Sequence, residues 1–224
     1  MSVTKSSITT IFFDLDGTLV DTAADLGYAL NLQLERYGKQ ALGMEKIRPI
    51  ASHGSLGLLK LGFGITPEDA EFIVMRDEYL NLYDQVFTRS PALFDGVSDL
   101  LNMIESKGLS WGVVTNKPSR FTQPLMQAIN LHQRATCIVS GDDAPRAKPH
   151  PDTLLLACVQ ANVPADSCVY IGDAERDIEA GNAAGMKTIV ALWGYIAETD
   201  KPSEWGANIM IQSPDEILHI ISNT

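Results

Sequence analysis

Short apolar runs, each ending at a cluster of polar residues, restrict the fold of this chain more than any other feature of its sequence. The first run covers residues 10–13 (TIFF), is rich in aromatic and β-branched residues, and is followed directly by Asp14. An apolar run without polar alternation is typical of a strand that is buried on both faces. We therefore predict a parallel strand whose carboxyl end carries Asp14 into a loop.

Further apolar runs alternate with helical segments after residue 90. This alternation predicts an α/β fold with a Rossmann-like, doubly wound parallel sheet. Ligands of such sheets bind beyond the carboxyl ends of the strands, where the polar clusters of this chain also fall. The further predicted strands cover residues 111–114, 137–140, 168–171, 188–192 and 208–211, and a last helix is predicted at 215–221.

Residues 22–89 have a different pattern, in which apolar residues recur at helical spacing and no convincing strand is present. Leu26, Leu30 and Leu34 are one example of this spacing. We predict a small helical cap domain here, inserted after the first strand. The predicted catalytic core then consists of residues 1–21 and 90–224.

The charge balance and the cysteines limit the classes of partner. A formal net charge of −11 repels nucleic acid and anionic membranes, so neither is expected as a partner, and no obligate protein partner is evident. The sequence has no apolar run of the ~18 residues that a membrane helix needs and no signal-peptide core. Its three cysteines include no C-x-x-C pair, which favours reduced thiols and a cytoplasmic protein.

The segment that follows the first run, Asp14-Leu15-Asp16-Gly17-Thr18, contains the first candidate site residues. Asp14 can serve as a nucleophile while its second oxygen binds a metal ion. Asp16, two residues on, can protonate a leaving alkoxide and then activate a water molecule. Gly17 allows the backbone to approach a bound phosphate. An Asx-type turn at the end of a strand is the alternative explanation of this segment.

Two further strand ends supply groups that could bind a phosphate. Thr115 offers a hydroxyl group, and Asn116 offers an amide beside it. Lys148, in a loop stiffened by neighbouring prolines, offers an ammonium group that could neutralise both a phosphate and Asp14. Taken singly, a turn before Pro118 explains Thr115 and Asn116 better, and an exposed loop lysine is a common alternative for Lys148.

A second acidic cluster follows the run at 168–171, where Asp173 and Asp177 open a helix. With Asp14 and Asp16 they form the predicted set of metal ligands. Hard oxygen ligands without histidine or cysteine favour Mg²⁺. The alternative is that acidic residues stabilise the N-terminus of a helix.

Taken together, the order and spacing of these clusters resemble the haloacid dehalogenase superfamily, and the resemblance covers nearly the whole chain. It implies a metal-dependent phosphatase with an aspartyl-phosphate intermediate on Asp14, acid–base catalysis by Asp16, and a mobile helical cap. Because Asp16 is present, the chain resembles the phosphatases of the superfamily rather than its metal-independent dehalogenases.

Over the whole chain the sequence is similar to the phosphoglycolate phosphatase group of that superfamily. Within this group, the segments 93–96 (LFDG), 111–118 (WGVVTNKP) and 194–196 (GYI) most resemble the bacterial N-acetylmuramic acid 6-phosphate phosphatases. The resemblance implies a small phosphorylated metabolite as the substrate, phosphoglycolate or N-acetylmuramic acid 6-phosphate. Specificity is then expected in the cap, where Arg48 or His53 could contact a carboxylate or hydroxyl of the substrate. The segment 52–55 (SHGS) is less glycine-rich than this group leads us to expect.

Two other functions remain open at this point. A sugar phosphomutase of the same superfamily would also form a phosphoaspartate but would return the phosphate to a sugar. A phospho-accepting signalling domain also uses Asp, Thr, Lys and Mg²⁺ on a parallel sheet. Such domains are much shorter than this chain and lack an equivalent of Asp16.

Overall fold

The computed structural model describes residues 7–217 and residue 220, and its centre is a parallel sheet. Six strands form this sheet in the order β5-β4-β1-β6-β7-β8, and β2 pairs with β3 in a separate antiparallel ladder. The strands are β1 (Thr10–Phe13), β2 (Val20–Asp21), β3 (Ala92–Leu93), β4 (Ser110–Val114), β5 (Ile138–Val139), β6 (Cys168–Gly172), β7 (Lys187–Ala191) and β8 (Ile209–Ile211).

Helices cover both faces of the sheet and form the segment between β2 and β3. A 3-10 helix, Arg48–His53, joins the second helix to the third. The α-helices are α1 (Ala23–Arg36), α2 (Met44–Ile47), α3 (Gly54–Phe63), α4 (Phe72–Asp84), α5 (Val97–Ser106), α6 (Ser119–Ala128), α7 (Asp152–Ala161) and α8 (Glu175–Ala183).

Alternate side chains of the central strand enter two different hydrophobic cores. Ile11 and Phe13 lie in the larger core, which also contains residues of α5, α6 and the helices between β2 and β3. Phe12 points the other way, into a smaller core with residues of α7 and α8. Side chains of a strand alternate between its two faces, so a strand covered on both sides must be apolar throughout. This requirement explains the uninterrupted apolar run at residues 10–13.

Residues 22–89, which we call the helical insertion, pack mainly through α1 and α4. Leu26, Leu30 and Leu34 lie one turn apart on α1 and are buried. The buried side chain of Gln33 donates a hydrogen bond of 2.9 Å to the carbonyl oxygen of Met75 on α4. The β2–β3 ladder joins the two ends of the insertion, so its helices leave and return to the sheet at one place.

The strand register places the predicted site at one edge of the sheet. Phe13 is paired with both Val113 of β4 and Ile171 of β6. The residues that follow these strands therefore emerge side by side, because the strands are parallel. Among them are Asp14 and Asp173.

The predicted α/β fold with a doubly wound parallel sheet is confirmed, and the strand boundaries differ from the predicted ones by one or two residues. The β2–β3 ladder was not predicted, since two-residue strands leave no readable pattern. Of the predicted last helix at 215–221, residues 216, 217 and 220 are helical, and 218, 219 and 221 lie outside the described residues. In the described part of the chain, no helix has the length and apolar character needed to cross a membrane.

Candidate active site

Three carboxylates meet beyond the carboxyl ends of β1 and β6. Asp14 follows β1, Asp173 follows β6, and Asp177 lies in the first turn of α8; all three are buried. One oxygen from each lies within 4.8 Å of one from each of the others. Burial, followed by the charges of Asp14 and Asp177, raises the pKa of Asp173 to about 7. Three buried carboxylates this close repel one another unless a cation lies among them.

Lys148 brings one such cation. Its Nζ atom lies 2.9 Å from Asp14 Oδ1 and 2.7 Å from Asp177 Oδ1, and its side chain is fully buried. It also donates hydrogen bonds to the Tyr170 hydroxyl (2.7 Å) and to the carbonyl oxygen of Val114 (3.1 Å). The ammonium group is therefore fixed between the two carboxylates rather than exposed on a loop.

The loop that carries Lys148 is held by Asn116. The Asn116 side chain donates to the backbone oxygen of Lys148 and accepts from its backbone nitrogen, both at 2.9 Å. Thr115 is buried, and its hydroxyl oxygen accepts a hydrogen bond of 3.1 Å from the backbone nitrogen of Lys117. The proton of that hydroxyl can still be donated to an oxygen of a ligand, whereas the Asn116 amide already has two partners in the protein.

Asp16 lies beside this cluster but has different partners. Its carboxylate accepts a short hydrogen bond from the hydroxyl of Thr22, at the start of α1. Its two oxygens lie 3.0 and 3.3 Å from the Nζ atom of Lys117. The side chain of Asp16 is not part of the group of three carboxylates that can share one ion.

Gly17 occupies a position that other residues cannot adopt without strain. Its φ angle is +90°, in the region that favours glycine, and a Cβ atom there would collide with the carboxylate of Asp173. The absence of a side chain at Gly17 therefore leaves the space that the Asp173 carboxylate occupies. Gly17 is not among the residues that line the cavity described below.

The helical insertion contacts the cluster through the segment between α2 and α3. The hydroxyl of Ser52 donates a hydrogen bond of 2.7 Å to Asp173 Oδ2. Arg176, on α8, donates one of 2.7 Å to the backbone oxygen of Ser52. A residue of the insertion thus touches a candidate metal ligand.

Arg48 and His53 lie in the same segment but have different surroundings. Arg48 forms an ion pair of 2.7 Å with Asp21 and lies over the rings of Phe94 and Tyr195, away from the cavity. His53 lines the cavity. Its pKa is lowered by burial and by the charge of Arg176. Of the two residues, the structure brings only His53 to the site.

A cavity of about 570 Å³ lies between the sheet edge and the helical insertion. The sheet side of this cavity contributes polar residues: Asp14, Asp16, Thr115, Asn116, Lys117 and Lys148. The insertion side is mostly apolar and aromatic: Leu26, Phe72, Tyr79, Leu80 and Tyr83 are among its residues. A concave site with a few convergent polar groups and apolar walls is typical of small-molecule binding.

The sequence interpretation missed Lys117, Tyr83 and Arg176. Lys117 is buried and bridges Asp16 to the Tyr83 hydroxyl, which lies 2.8 Å from its Nζ atom. A lysine directly after Thr115 and Asn116, at the end of a predicted strand, was a signal that could have been used. No comparable signal marks Tyr83 or Arg176, because their places depend on packing between distant segments.

The residues present fit a divalent metal ion. The donors are carboxylate oxygens, which hard cations such as Mg²⁺ prefer. Oδ1 of Asp177 carries the ion pair with Lys148 but accepts no hydrogen bond within the described residues, so it retains capacity for a ligand. A divalent ion would also relieve the repulsion that raises the pKa of Asp173. Asp14, Asp173 and Asp177 can therefore hold such an ion.

Known proteins resemble this chain over nearly all of its length. Residues 11–191 match the family described as haloacid dehalogenase-like hydrolase. The N-acetylmuramic acid 6-phosphate phosphatase of Pseudomonas aeruginosa is 36% identical, over 94% of this chain and 93% of its own. The phosphoglycolate phosphatase of Xanthomonas campestris is 37% identical, over 92% and 93%.

Solved structures agree with these relatives. A putative phosphoglycolate phosphatase from Lactobacillus delbrueckii has a TM-score of 0.84 and 26% identity, covering 96% of this chain and 98% of its own. A predicted phosphoglycolate phosphatase from Haemophilus somnus, with a TM-score of 0.81 and 23% identity over 98% and 99% of the two chains, shares the fold. The chain belongs to the haloacid dehalogenase-like hydrolases and is an enzyme of that family.

Proposed function

We propose that this enzyme is a magnesium-dependent phosphatase that hydrolyses a small phosphomonoester through an aspartyl-phosphate intermediate on Asp14. The observation that carries the proposal is the position of Lys148, between Asp14 and Asp177 at 2.9 and 2.7 Å, inside a group of three buried carboxylates. A buried ammonium beside the nucleophile offsets the charge of an incoming phosphate dianion. The net charge of −11 makes such a local cation necessary.

In the proposed mechanism, Asp14 attacks phosphorus and the alcohol leaves. Asp14, Asp173 and Asp177 hold Mg²⁺, which when bound screens the negative charge of the reacting groups. Lys148 keeps the Asp14 carboxylate in place, and the Thr115 hydroxyl donates to a phosphoryl oxygen. Phosphoryl transfer depends mainly on positioning and electrostatic stabilisation, so these few groups suffice.

Asp16 is proposed as the general acid and base. It donates a proton to the leaving oxygen and then takes one from the water that hydrolyses the phosphoaspartate. Its carboxylate lies on the cavity surface, and Thr22 and Lys117 fix its orientation. Because Thr22, at the start of α1, belongs to the insertion, we propose that residues 22–89 act as a cap over the core of residues 1–21 and 90–224.

The substrate class follows from the relatives and the cavity together. The relatives with 36–37% identity are named for phosphoglycolate and N-acetylmuramic acid 6-phosphate. We propose a substrate of this kind, a phosphomonoester that also carries a carboxylate. Its phosphate lies at the sheet edge and its remaining atoms contact the insertion.

The experiment that tests the proposal is phosphate release from a panel of phosphomonoesters in millimolar Mg²⁺, with and without a chelator. The panel contains phosphoglycolate, N-acetylmuramic acid 6-phosphate, hexose phosphates and an aryl phosphate. We expect release that stops when the chelator is added and that is absent from Asp14→Asn. Release that is unchanged by the chelator or by Asp14→Asn would refute the mechanism.

Location and partners complete the proposal. Cys137, Cys158 and Cys168 are free and buried, as is usual in a reducing compartment, and this supports the cytoplasm as the location. The acidic charge balance supports a small metabolite as the partner rather than nucleic acid or a membrane surface.

A further inference from the structure

One face of α4 lines a large part of the insertion side of the cavity. Phe72, Arg76, Tyr79, Leu80 and Tyr83 all line the cavity, and their spacing of about four residues places them on the same face of the helix. The C-terminal end of this face lies at the proposed catalytic groups, because the Tyr83 hydroxyl is 2.8 Å from Lys117 Nζ and Lys117 pairs with Asp16. Its other end lies at Arg76 and Phe72.

Arg76 is the cation of this face, and it has no carboxylate partner within the described residues. Its Nε atom makes one long hydrogen bond of 3.4 Å, to the hydroxyl of Ser55. The described insertion residues that line the cavity include no aspartate or glutamate. Arg76 is exposed at the mouth of the cavity and forms no ion pair within the described residues, so its planar set of donors is available to an anion.

The helix also provides a measure of distance. Seven residues separate Arg76 from Tyr83, and at ~1.5 Å per residue their Cα atoms lie about 10 Å apart along the axis. At the backbone of α4, Arg76 therefore lies about 10 Å from Tyr83, whose hydroxyl contacts Lys117 at the catalytic end of the cavity.

Phosphoglycolate does not span this distance. Three bonds of ~1.5 Å each separate its phosphorus from its carboxyl carbon, which limits their separation to less than about 4.5 Å. Its about nine non-hydrogen atoms, even at the ~30 Å³ that each water molecule occupies in the liquid, fill less than half of the 570 Å³ cavity. A sugar phosphate with a carboxylate on the far side of the ring matches both the length and the volume.

We propose that Arg76, assisted by Ser55, forms a second anion site that binds a carboxylate remote from the scissile phosphate. The substrate is then a hexose-sized phosphomonoester with a carboxylate remote from the phosphate, and the apolar residues of α4 pack against its ring and substituents. Arg76 is the residue that determines this specificity. The inference rests on the proposed function, since it takes the phosphate to be at Asp14.

A pair of ligands that differ only in the carboxylate-bearing group tests the site. N-acetylmuramic acid 6-phosphate carries a lactyl ether that N-acetylglucosamine 6-phosphate lacks. We would measure the Kd of both by calorimetry in millimolar Mg²⁺, using Asp14→Asn so that neither is hydrolysed. We expect the carboxylated sugar to bind about 10-fold more tightly or better, as a charge-assisted hydrogen bond predicts. Arg76→Gln should remove this preference, and Arg76→Lys should retain part of it.

The matched control is Arg36→Gln. Arg36 is also an arginine of the insertion, but it pairs with Glu78 on the outer surface and does not line this cavity. The preference should survive in Arg36→Gln. Equal Kd values for the two sugars, or a preference that survives Arg76→Gln, would overturn the inference.

Two different measurements distinguish a failure of the proposed function from a failure of the anion site. The binding measurement needs no turnover, whereas phosphate release by the unmodified protein tests the phosphatase activity. If the unmodified protein released no phosphate but the Arg76-dependent preference were present, the anion site would stand and the proposed reaction would not.

Discussion

The two sides of the cavity are built on different principles. On the sheet side, Asp14, Asp177 and Lys148 are buried and fixed by ion pairs of 2.7–2.9 Å, and Asp14 directly follows the central strand β1. On the insertion side, the cavity is lined mainly by aromatic and aliphatic residues of α4, together with His53 and with Arg76, which has no ion pair within the described residues. The sheet side has the groups needed for a reaction common to many substrates, and the insertion side has surfaces that distinguish one substrate from another.

Several contacts join the two sides, and Thr22 to Asp16 and Arg176 to Ser52 are two of them. Ser52 touches Asp173, and Tyr83 touches Lys117, which pairs with Asp16. If the sheet side performs the reaction and the insertion side selects the substrate, substitutions on the sheet side should remove activity for every substrate. Changes on the insertion side should alter affinity and selectivity, and changes at the contacts should have intermediate effects.

The largest effect is expected at the nucleophile. Asp14→Asn keeps the shape of the side chain but removes the attacking charge, so we expect phosphatase activity to fall by about 10⁴-fold or more. Thermal unfolding should show a stable protein, because one of three mutually repelling carboxylates has become neutral. Activity near the wild-type level would remove Asp14 from its proposed role.

The next largest effect is expected at Lys148. Lys148→Met leaves Asp14 and Asp177 buried without their cation, so we expect the metal-free protein to lose about 3–5 kcal/mol in free energy of unfolding. Activity should fall by about 10³-fold. Urea unfolding with and without Mg²⁺ measures the first effect, and added Mg²⁺ should restore part of the loss. Lys201→Met, on the surface, should change neither quantity.

Substitution of Asp173 should raise the free energy of unfolding of the metal-free protein, whereas substitution of Lys148 should lower it. The Asp173 pKa of about 7 in the folded state lies above its ordinary value of 3.8, so the folded state holds the proton more tightly and loses stability as pH rises through this interval. Asp173→Asn should therefore stabilise the metal-free protein at pH 8, on the order of 1–3 kcal/mol, and much less at pH 5. The variant should also lose most of the stabilisation by Mg²⁺.

This prediction is checked by urea unfolding at the two pH values in chelator. If the variant were less stable than the wild type at pH 8, the carboxylate would be a stabilising group and the repulsion argument would be wrong. Asp152→Asn is a suitable control, since Asp152 is paired with Arg146 at the surface.

The smallest effect is expected at a contact between the two sides. Tyr83→Phe removes the hydroxyl that Lys117 contacts and should lower kcat/KM by about 10-fold for every substrate. Tyr79→Phe is a matched control one turn earlier on α4, because its hydroxyl contacts the carbonyl oxygen of Leu26 at 3.2 Å and not Lys117. An equal loss in both variants would indicate a general packing effect rather than a link to Asp16.

The helical insertion shows where sequence periodicity misleads. Ile73 and Val74 are apolar residues of the insertion, but they are 71% and 69% exposed. The buried residues of α4 are Phe72, Met75, Tyr79, Leu82 and Tyr83. A short helix with apolar residues on several faces does not specify which face is buried, and packing against α1 decides it.

The sequence alone determined the sheet, its strands and the residues at their ends. Uninterrupted apolar runs require burial on both faces, and a parallel sheet brings Asp14 and Asp173 to one edge whatever the loops do. Only the tertiary structure decided that Lys148 also pairs with Asp177, that Arg48 lies away from the cavity, and that Arg76 lines it. These arrangements depend on contacts between residues far apart in the chain, for which local patterns carry no signal.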